Sequence, residues 1–349
     1  MATGRGEGPL PVEVVVPVRW SRDEPARVAE LRDHLRSLAR EVCHVSVVDG
    51  SPARLRAGHE RAWRDHARVI TPAPVDRLWP GTAWPDATSP GAAWIGLNGK
   101  VVGAWTGVLA ARSEAVVISD DDVRHTRESL ASLCDALGEA ALVRPVTVYD
   151  SWPWQARWDG ARTLVNVALG AEWPGTLAVR RSVVVEAGGW CPDVLFENLE
   201  LWRTVQARGH RVVSVPVVVP RCPPTVRHFW SQRVRQAYDD LAQPGRLTVE
   251  LALLPTVLWL ARRPGRVAAG VLATVLLGAL GHRRLGPQSQ VPSSVVLWTP
   301  IWVLERAVCV WLALGYRAAG GVPYCGRRMP LSAHSLRALR RLSGTEPTS

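Results

Sequence analysis

The chain has 349 residues, with 42 Lys or Arg against 31 Asp or Glu and a formal net charge of +11. Aliphatic, aromatic and cysteine side chains make up 47% of it, enough for a packed core, which excludes a chain disordered throughout. Residues 1–245 hold 29 basic and 28 acidic side chains, whereas residues 246–349 hold 13 and 3, so the excess lies among the longest apolar runs and points to a lipid surface, not to nucleic acid.

In chain order, Val12–Val18 (VEVVVPV) predicts a buried strand and Pro25–Arg40 an amphipathic helix. His44–Val48 predicts a second strand that stops at the turn Asp49-Gly50-Ser51-Pro52. Residues 71–96, rich in Pro, Gly and Trp, read as a long ordered loop. Lys100–Ala111 predicts a small-residue helix, Ala115–Ser119 (AVVIS) a further strand, and His125–Leu137 another helix. Strands alternating with helices give an α/β fold with a mainly parallel, doubly wound sheet, whose ligands bind beyond the strands' carboxyl ends. The N-terminal stretch lacks the unbroken apolar run of a signal peptide, and the six cysteines form no CxxC pair. Both features fit reduced thiols and a cytosolic setting.

Past Pro244-Gly245 come three apolar segments, Leu247–Ala261, Val267–Gly281 and Val295–Tyr316. The first two are shorter than the roughly 20 residues that span a bilayer unaided. The third is long enough but carries Glu305-Arg306 in its middle, a costly pair in lipid unless protein shields it. Trp259, Trp298, Trp302 and Trp311 suit an interfacial belt. The expected organisation is a catalytic domain over residues 1–245, facing the cytoplasm, and a membrane-associated helical segment with a basic tail over residues 246–349.

Asp120-Asp121-Asp122 follows the strand AVVIS directly. Three adjacent carboxylates repel one another, and hard oxygens at this spacing suit Mg2+ or Mn2+, which in turn bridges a diphosphate. Strand alternation sends Asp120 and Asp122 to one side and Asp121 to the other. The same run also suits the N-terminus of the helix that follows.

Around this run stand, in order, VVVPVR, VVDGSP, NGKVVGAWTG, PGTLAVRRSVVVEAGGW, FENLEL and HFWSQRVRQ. From about residue 12 to residue 240 this order resembles the family 2 inverting glycosyltransferases of GT-A fold, in particular members attached to membranes. The resemblance implies a Rossmann-like sheet, a nucleoside-diphosphate sugar donor and a lipid-linked or glycan acceptor at an anionic membrane. It implies that Asp49 accepts from the base or ribose, that Arg19 lies near the nucleotide, and that Lys100 approaches nucleotide or phosphate. Asp120 and Asp122 become the metal pair, and Gly188-Gly189-Trp190 the turn against the sugar. Gln232 and Arg235 match the element that binds the diphosphate and the acceptor end, with Gln236 where the family has a tryptophan and Trp230 close by.

The base departs from the family pattern. Glu197-Asn198 stands where the family has Glu-Asp, and an amide takes no proton. Glu197, or Glu200 one helical turn further on, is therefore the expected base, Glu197 before Glu200 because it stands in the motif. Two rival readings are a nucleotidyltransferase, for which the first strand lacks a glycine-rich basic signature, and a non-catalytic membrane scaffold with a degenerate transferase domain.

Overall fold

The computed structural model describes residues 8–80, 96–170 and 172–344. Seven strands form one sheet: β1 (Leu10–Val18), β2 (Val42–Asp49), β3 (Arg68–Ile70), β4 (Ala115–Ser119), β5 (Leu142–Tyr149), β6 (Thr176–Arg180) and β7 (Val212–Arg221). Their order is β3-β2-β1-β4-β6-β5-β7. The pairs β1–β2, β2–β3, β1–β4 and β5–β7 are parallel, while β6 runs antiparallel to both β4 and β5. The sheet is thus mainly parallel, as the alternation of elements predicts.

The helices are α1 (Pro25–Glu41), α2 (Ala53–Trp63), α3 (Val75–Leu78), α4 (Gly99–Ala110), α5 (Arg127–Leu137), α6 (Trp154–Ala168), α7 (Arg181–Glu186) and α8 (Glu197–Ala207). They are followed by α9 (Val226–Asp239), α10 (Pro244–Leu260), α11 (Pro264–Leu285), α12 (Thr299–Ala318) and α13 (Leu336–Leu342). Helices cover both faces of the sheet, which is why β1 reads as near-continuous valine. Val14 and Val16 join Leu31, Leu35 and Leu133 of α1 and α5 on one face. Val15 and Val48 join Trp105, Trp190 and Leu201 of the α4 and α8 layer on the other.

Two local differences from the sequence expectations have plain causes. The helix after β4 starts at Arg127 because Thr126 caps it: its hydroxyl accepts from Ser129 N at 3.2 Å, and Ser129 Oγ accepts from Thr126 N at 3.0 Å. Asp120–Asp122 therefore lie in the connection before that cap and not in the helix's first turn. The loop expected over residues 71–96 contains the short α3, and its stretch from 81 to 95 lies outside the described residues.

No linker separates the C-terminal helices from the sheet. Pro244 and Gly245 open α10 directly after a 3-10 turn over Asp240–Ala242. Helix α11 runs through His282, Arg283 and Arg284 to 22 residues, longer than its apolar stretch. Its Gly281 lies against the Leu164 carbonyl of α6, where any Cβ would collide with backbone. After α12 the chain turns back through a hairpin, β8 (Val322–Tyr324) and β9 (Arg327–Met329), whose two turn residues Cys325 and Gly326 both take positive φ, 48° and 79°. The next residues pair with the entry to α8: Leu195 N donates to Leu331 O at 3.0 Å and Phe196 N to Ser332 O at 2.8 Å.

Candidate active site

A cavity of about 370 Å³ opens beyond the carboxyl ends of β4, β5 and β7. Asp120, Tyr149 and Arg221 enter it from those strand ends, Lys100 from the first turn of α4, and Glu197 and Asn198 from the first turn of α8. Helix α9 adds His228, Gln232, Arg235 and Asp239, and the hairpin adds Tyr324.

Lys100 joins the two sides. Asn98 caps α4 by accepting from Lys100 N at 3.1 Å, which fixes where the lysine begins. Its Nζ donates to Asp120 Oδ1 and Glu197 Oε1, each at 2.6 Å. Burial opposes the ammonium charge, but Asp120 and Glu197 outweigh it and raise the lysine's pKa. Burial pushes the Asp120 carboxyl up to about 6, against the pull of Lys100 and with the help of Asp122. Gly175 makes room for it, since a Cβ there would meet Asp120 Oδ2 at 2.5 Å.

Asp121 turns the other way, taking hydrogen bonds from Trp20 Nε1 at 2.5 Å and Arg27 Nη2 at 2.7 Å. Asp122 faces the cavity, where its Oδ2 pairs with Arg221. Its Oδ1 is buried with no hydrogen-bond partner. His228 lines the same cavity, and burial lowers its pKa. An orphaned carboxylate oxygen on Asp122, with Asp120 as a second carboxylate in the same cavity, suits a hard cation such as Mn2+ or Mg2+.

Gln232 and Arg235 also line the cavity. Arg235 has no carboxylate partner among the described residues; its guanidinium lies 4.8 Å from the centre of the Tyr324 ring, and its Nε is buried without a partner. This cation is available to an anion. Tyr324 supplies the aromatic surface there, while Trp230 is 54% exposed and packs on Trp154, Trp158 and Phe229.

Other expected site residues stand elsewhere. Glu200 is fully buried, accepting from His334 N at 2.8 Å and facing His334 Nδ1 at 2.7 Å. One turn deeper than Glu197, it faces the returning C-terminal segment and not the cavity, so it is not a base. With Cys191 these residues form the one group among the described residues whose ligand atoms all lie within 4.8 Å. Two donors on a tetrahedral zinc stand about 3.3 Å apart at its usual bond lengths. The 2.7 Å between Nδ1 and Oε1 is instead a hydrogen bond, and the cluster is a latch.

Asp49 is 1% exposed, accepting from Ser51 N at 2.9 Å and facing His59 Nδ1 at 2.8 Å, so it fixes the turn after β2 and does not reach the cavity. Arg19 is exposed and crosses the start of α4, where a Cβ on Gly99 would meet its Nη1 at 2.5 Å. Gly188 and Gly189, at φ 69° and 79°, close α7 by donating to Val185 O and Val184 O. Trp190 is 2% exposed and sits edge-on to Trp105, 6.3 Å between ring centres. That turn packs the core and offers no ring to a sugar.

Sequence reasoning missed Arg221, His228, Asp239, Tyr324 and the floor of the cavity. The floor is Asp159, which accepts from Tyr149 Oη at 2.6 Å and Arg233 Nη2 at 2.8 Å. Against the effect of burial, Arg233 and Arg162 hold its carboxyl far below the usual range. Tyr149 and Arg221 are strand-end residues, so the argument applied to Asp120 would have found them had β5 and β7 been recognised.

No family model matches the chain, and no curated protein matches it in sequence. Among solved structures it is similar to the mannosyltransferase PcManGT from Pyrobaculum calidifontis in complex with GDP-Man and Mn2+, at 18% identity and a TM-score of 0.45, over 92% of this chain and 80% of that one. It is also similar to glucosyl-3-phosphoglycerate synthase from Mycobacterium tuberculosis with Mn2+, UDP and glucosyl-3-phosphoglycerate, at 16% identity and a TM-score of 0.38, over 62% and 73%.

Proposed function

We propose that the protein transfers a sugar, with inversion, from a nucleoside-diphosphate sugar to a hydroxyl of a membrane-associated lipid or glycan acceptor, as a family 2 glycosyltransferase. One observation carries the reading: Lys100 holds a strand-end carboxylate and a helix-end carboxylate together in one cavity that also contains an unpaired arginine. Asp120 and Asp122 would hold Mn2+ or Mg2+, which when bound neutralises the diphosphate of the donor.

Glu197 is the base. Its carboxylate takes the proton of the acceptor hydroxyl as that oxygen bonds to the anomeric carbon. The bond from that carbon to the diphosphate oxygen breaks on the opposite face, and the nucleoside diphosphate leaves with the electron pair. Lys100 and Arg235 are the cations of this chain beside that leaving group, Lys100 through its bond to Asp120 and Arg235 as a free guanidinium. Asn198, which donates to Pro174 O at 2.8 Å, holds the start of α8 in place and takes no proton.

The test is a donor screen with purified protein in lipid, reading nucleoside diphosphate release with and without a lipid extract, and starting from the GDP and UDP sugars. Release should require both Mn2+ or Mg2+ and the extract. Full activity in excess chelator would remove the metal role of Asp120 and Asp122, and silence with every donor would remove the transferase reading.

A further inference from the structure

Helices α11 and α12 are each long and apolar enough to cross a bilayer: Pro264–Leu285, and Ser293–Ala318 when the turn before α12 is included. Their packing is incompatible with crossing. Helix α12 is tied to the sheet domain along its length: Trp302 packs on Ala161 and Val165 of α6, Glu305 pairs with Arg233 of α9 at 3.4 Å, and Arg306 pairs with Asp240 at 2.7 Å. Near its end, Ala313 packs with Tyr238 and Met329. The charged pair that would be costly in lipid points into protein instead.

The opposite stripe of α12, Ile301, Leu304, Val308, Trp311 and Leu312, is exposed. In α11 the second half is tied down at Gly278, against Thr299, and at Gly281, against Leu164. Thr274 O accepts from Thr299 Oγ1 at 2.9 Å and Val275 and Leu277 pack on the domain, so the free part, residues 264–273, is about 15 Å long at 1.5 Å per residue. That falls short of the roughly 30 Å hydrocarbon core. Fifteen of the nineteen exposed large apolar side chains in the described residues lie in α10, α11, α12 and the turn before α12.

The charges around this face choose its occupant. Arg262 and Arg263 are exposed at the α10–α11 turn, and Arg266 stacks on Trp259 at 4.1 Å, a cation and an indole at one level. Between residues 246 and 344 the two acidic side chains, Glu250 and Glu305, are each 6% exposed and ion-paired. A second copy of this surface would set arginine against arginine. Lipid phosphates complement it.

We infer that α10, α11 and α12 form a platform that lies in the plane of an anionic bilayer surface, apolar face inward, without crossing. The inference deepens the proposal of a membrane-associated acceptor and rests on it. Arg246 of α10 and Arg306 of α12 line the cavity, so the helices seated on lipid also wall the site. An acceptor with its tail in the bilayer then meets the cavity at headgroup level.

Two measurements on the full chain decide this. Inside-out membrane vesicles carrying Gly265→Cys or Gln288→Cys are treated with a membrane-impermeant maleimide, and the labelled peptides are mapped; the exposed native Cys43 marks the catalytic side. Gly265 has open space around it, and the Gln288 position is exposed. Both sites should label as fully as Cys43 without detergent, and protection of either until detergent is added overturns the inference. Purified protein should also float with phosphatidylcholine–phosphatidylglycerol vesicles, more weakly with phosphatidylcholine alone. Replacing Arg262, Arg263 and Arg266 by Gln should weaken binding on the order of a hundredfold. Protein that floats with neither vesicle and runs as a dimer overturns the lipid platform. Nucleoside diphosphate release, measured separately, then reports whether the transferase reading survives.

Discussion

At the scale of single residues, the two glutamates on α8 separate cleanly. Glu197→Gln keeps size and polarity but takes no proton, so kcat should fall about 10²–10⁴-fold, with donor binding measured by titration nearly unchanged. Glu200→Gln should do the reverse. It weakens the bond to His334 and lowers stability by about 1–3 kcal/mol in denaturant titration, while kcat of the folded protein changes far less. Equal kcat losses in the two variants would refute the assignment. Gly189→Ala tests the reading of its turn as core: φ of 79° and a Cβ placed 2.8 Å from the Trp105 ring should cost more than about 1 kcal/mol, with donor affinity preserved.

At the scale of elements, the connection from β4 to α5 carries a pH dependence. Burial lowers the pKa of His125 to about 3, with a further push from His34. The unfolded chain takes that proton near 6.5, and the fold refuses it until about 3. Stability from this group is therefore complete above 6.5 and is lost as pH falls through that window, by up to about 1.4 kcal/mol per pH unit. His125→Asn should flatten that slope in urea midpoints measured from pH 7 to 4. In α12, Arg306 holds Asp240 at 2.7 Å and Glu250 at 3.8 Å, and Arg246 meets both at 2.9 Å, so Arg306→Met leaves two buried carboxylates on a single guanidinium and should cost about 1–3 kcal/mol.

The same elements show what was legible. Valine-rich β1, β2 and β4 and the periodic α1 could be read because burial on both faces or on one stripe leaves a mark in the sequence. Lys100, Asp120, Asp122, Glu197, Gln232 and Arg235 could be read through local motifs, and they line one cavity. Asp49, Glu200 and Trp190 could not be separated from them, since a residue's type is the same whether it faces substrate or caps a turn. His228, Asp239 and Tyr324 were hidden because they reach the cavity only through tertiary packing. Antiparallel β6 was equally invisible, its direction being set by its neighbours.

At the scale of the whole molecule, the segment after α12 closes the catalytic half. Tyr324 reaches Asn98 Oδ1 at 3.2 Å, and the stretch from Leu331 to His334 buttresses the α8 entry that presents Glu197. A chain ending at Ala318 keeps every motif up to Arg235 and should still lose most transfer activity, together with a lower melting temperature; unaltered kinetics would show that the returning segment is dispensable. The order of these pieces along the chain has a temporal meaning. Translation runs from the N-terminus, so α10, α11 and α12 leave the ribosome before Tyr324 and His334 do. The helices can find their lipid surface while the pocket still lacks a wall. On the proposed function, the helices that seat on lipid are thus made before the segment that completes the pocket wall.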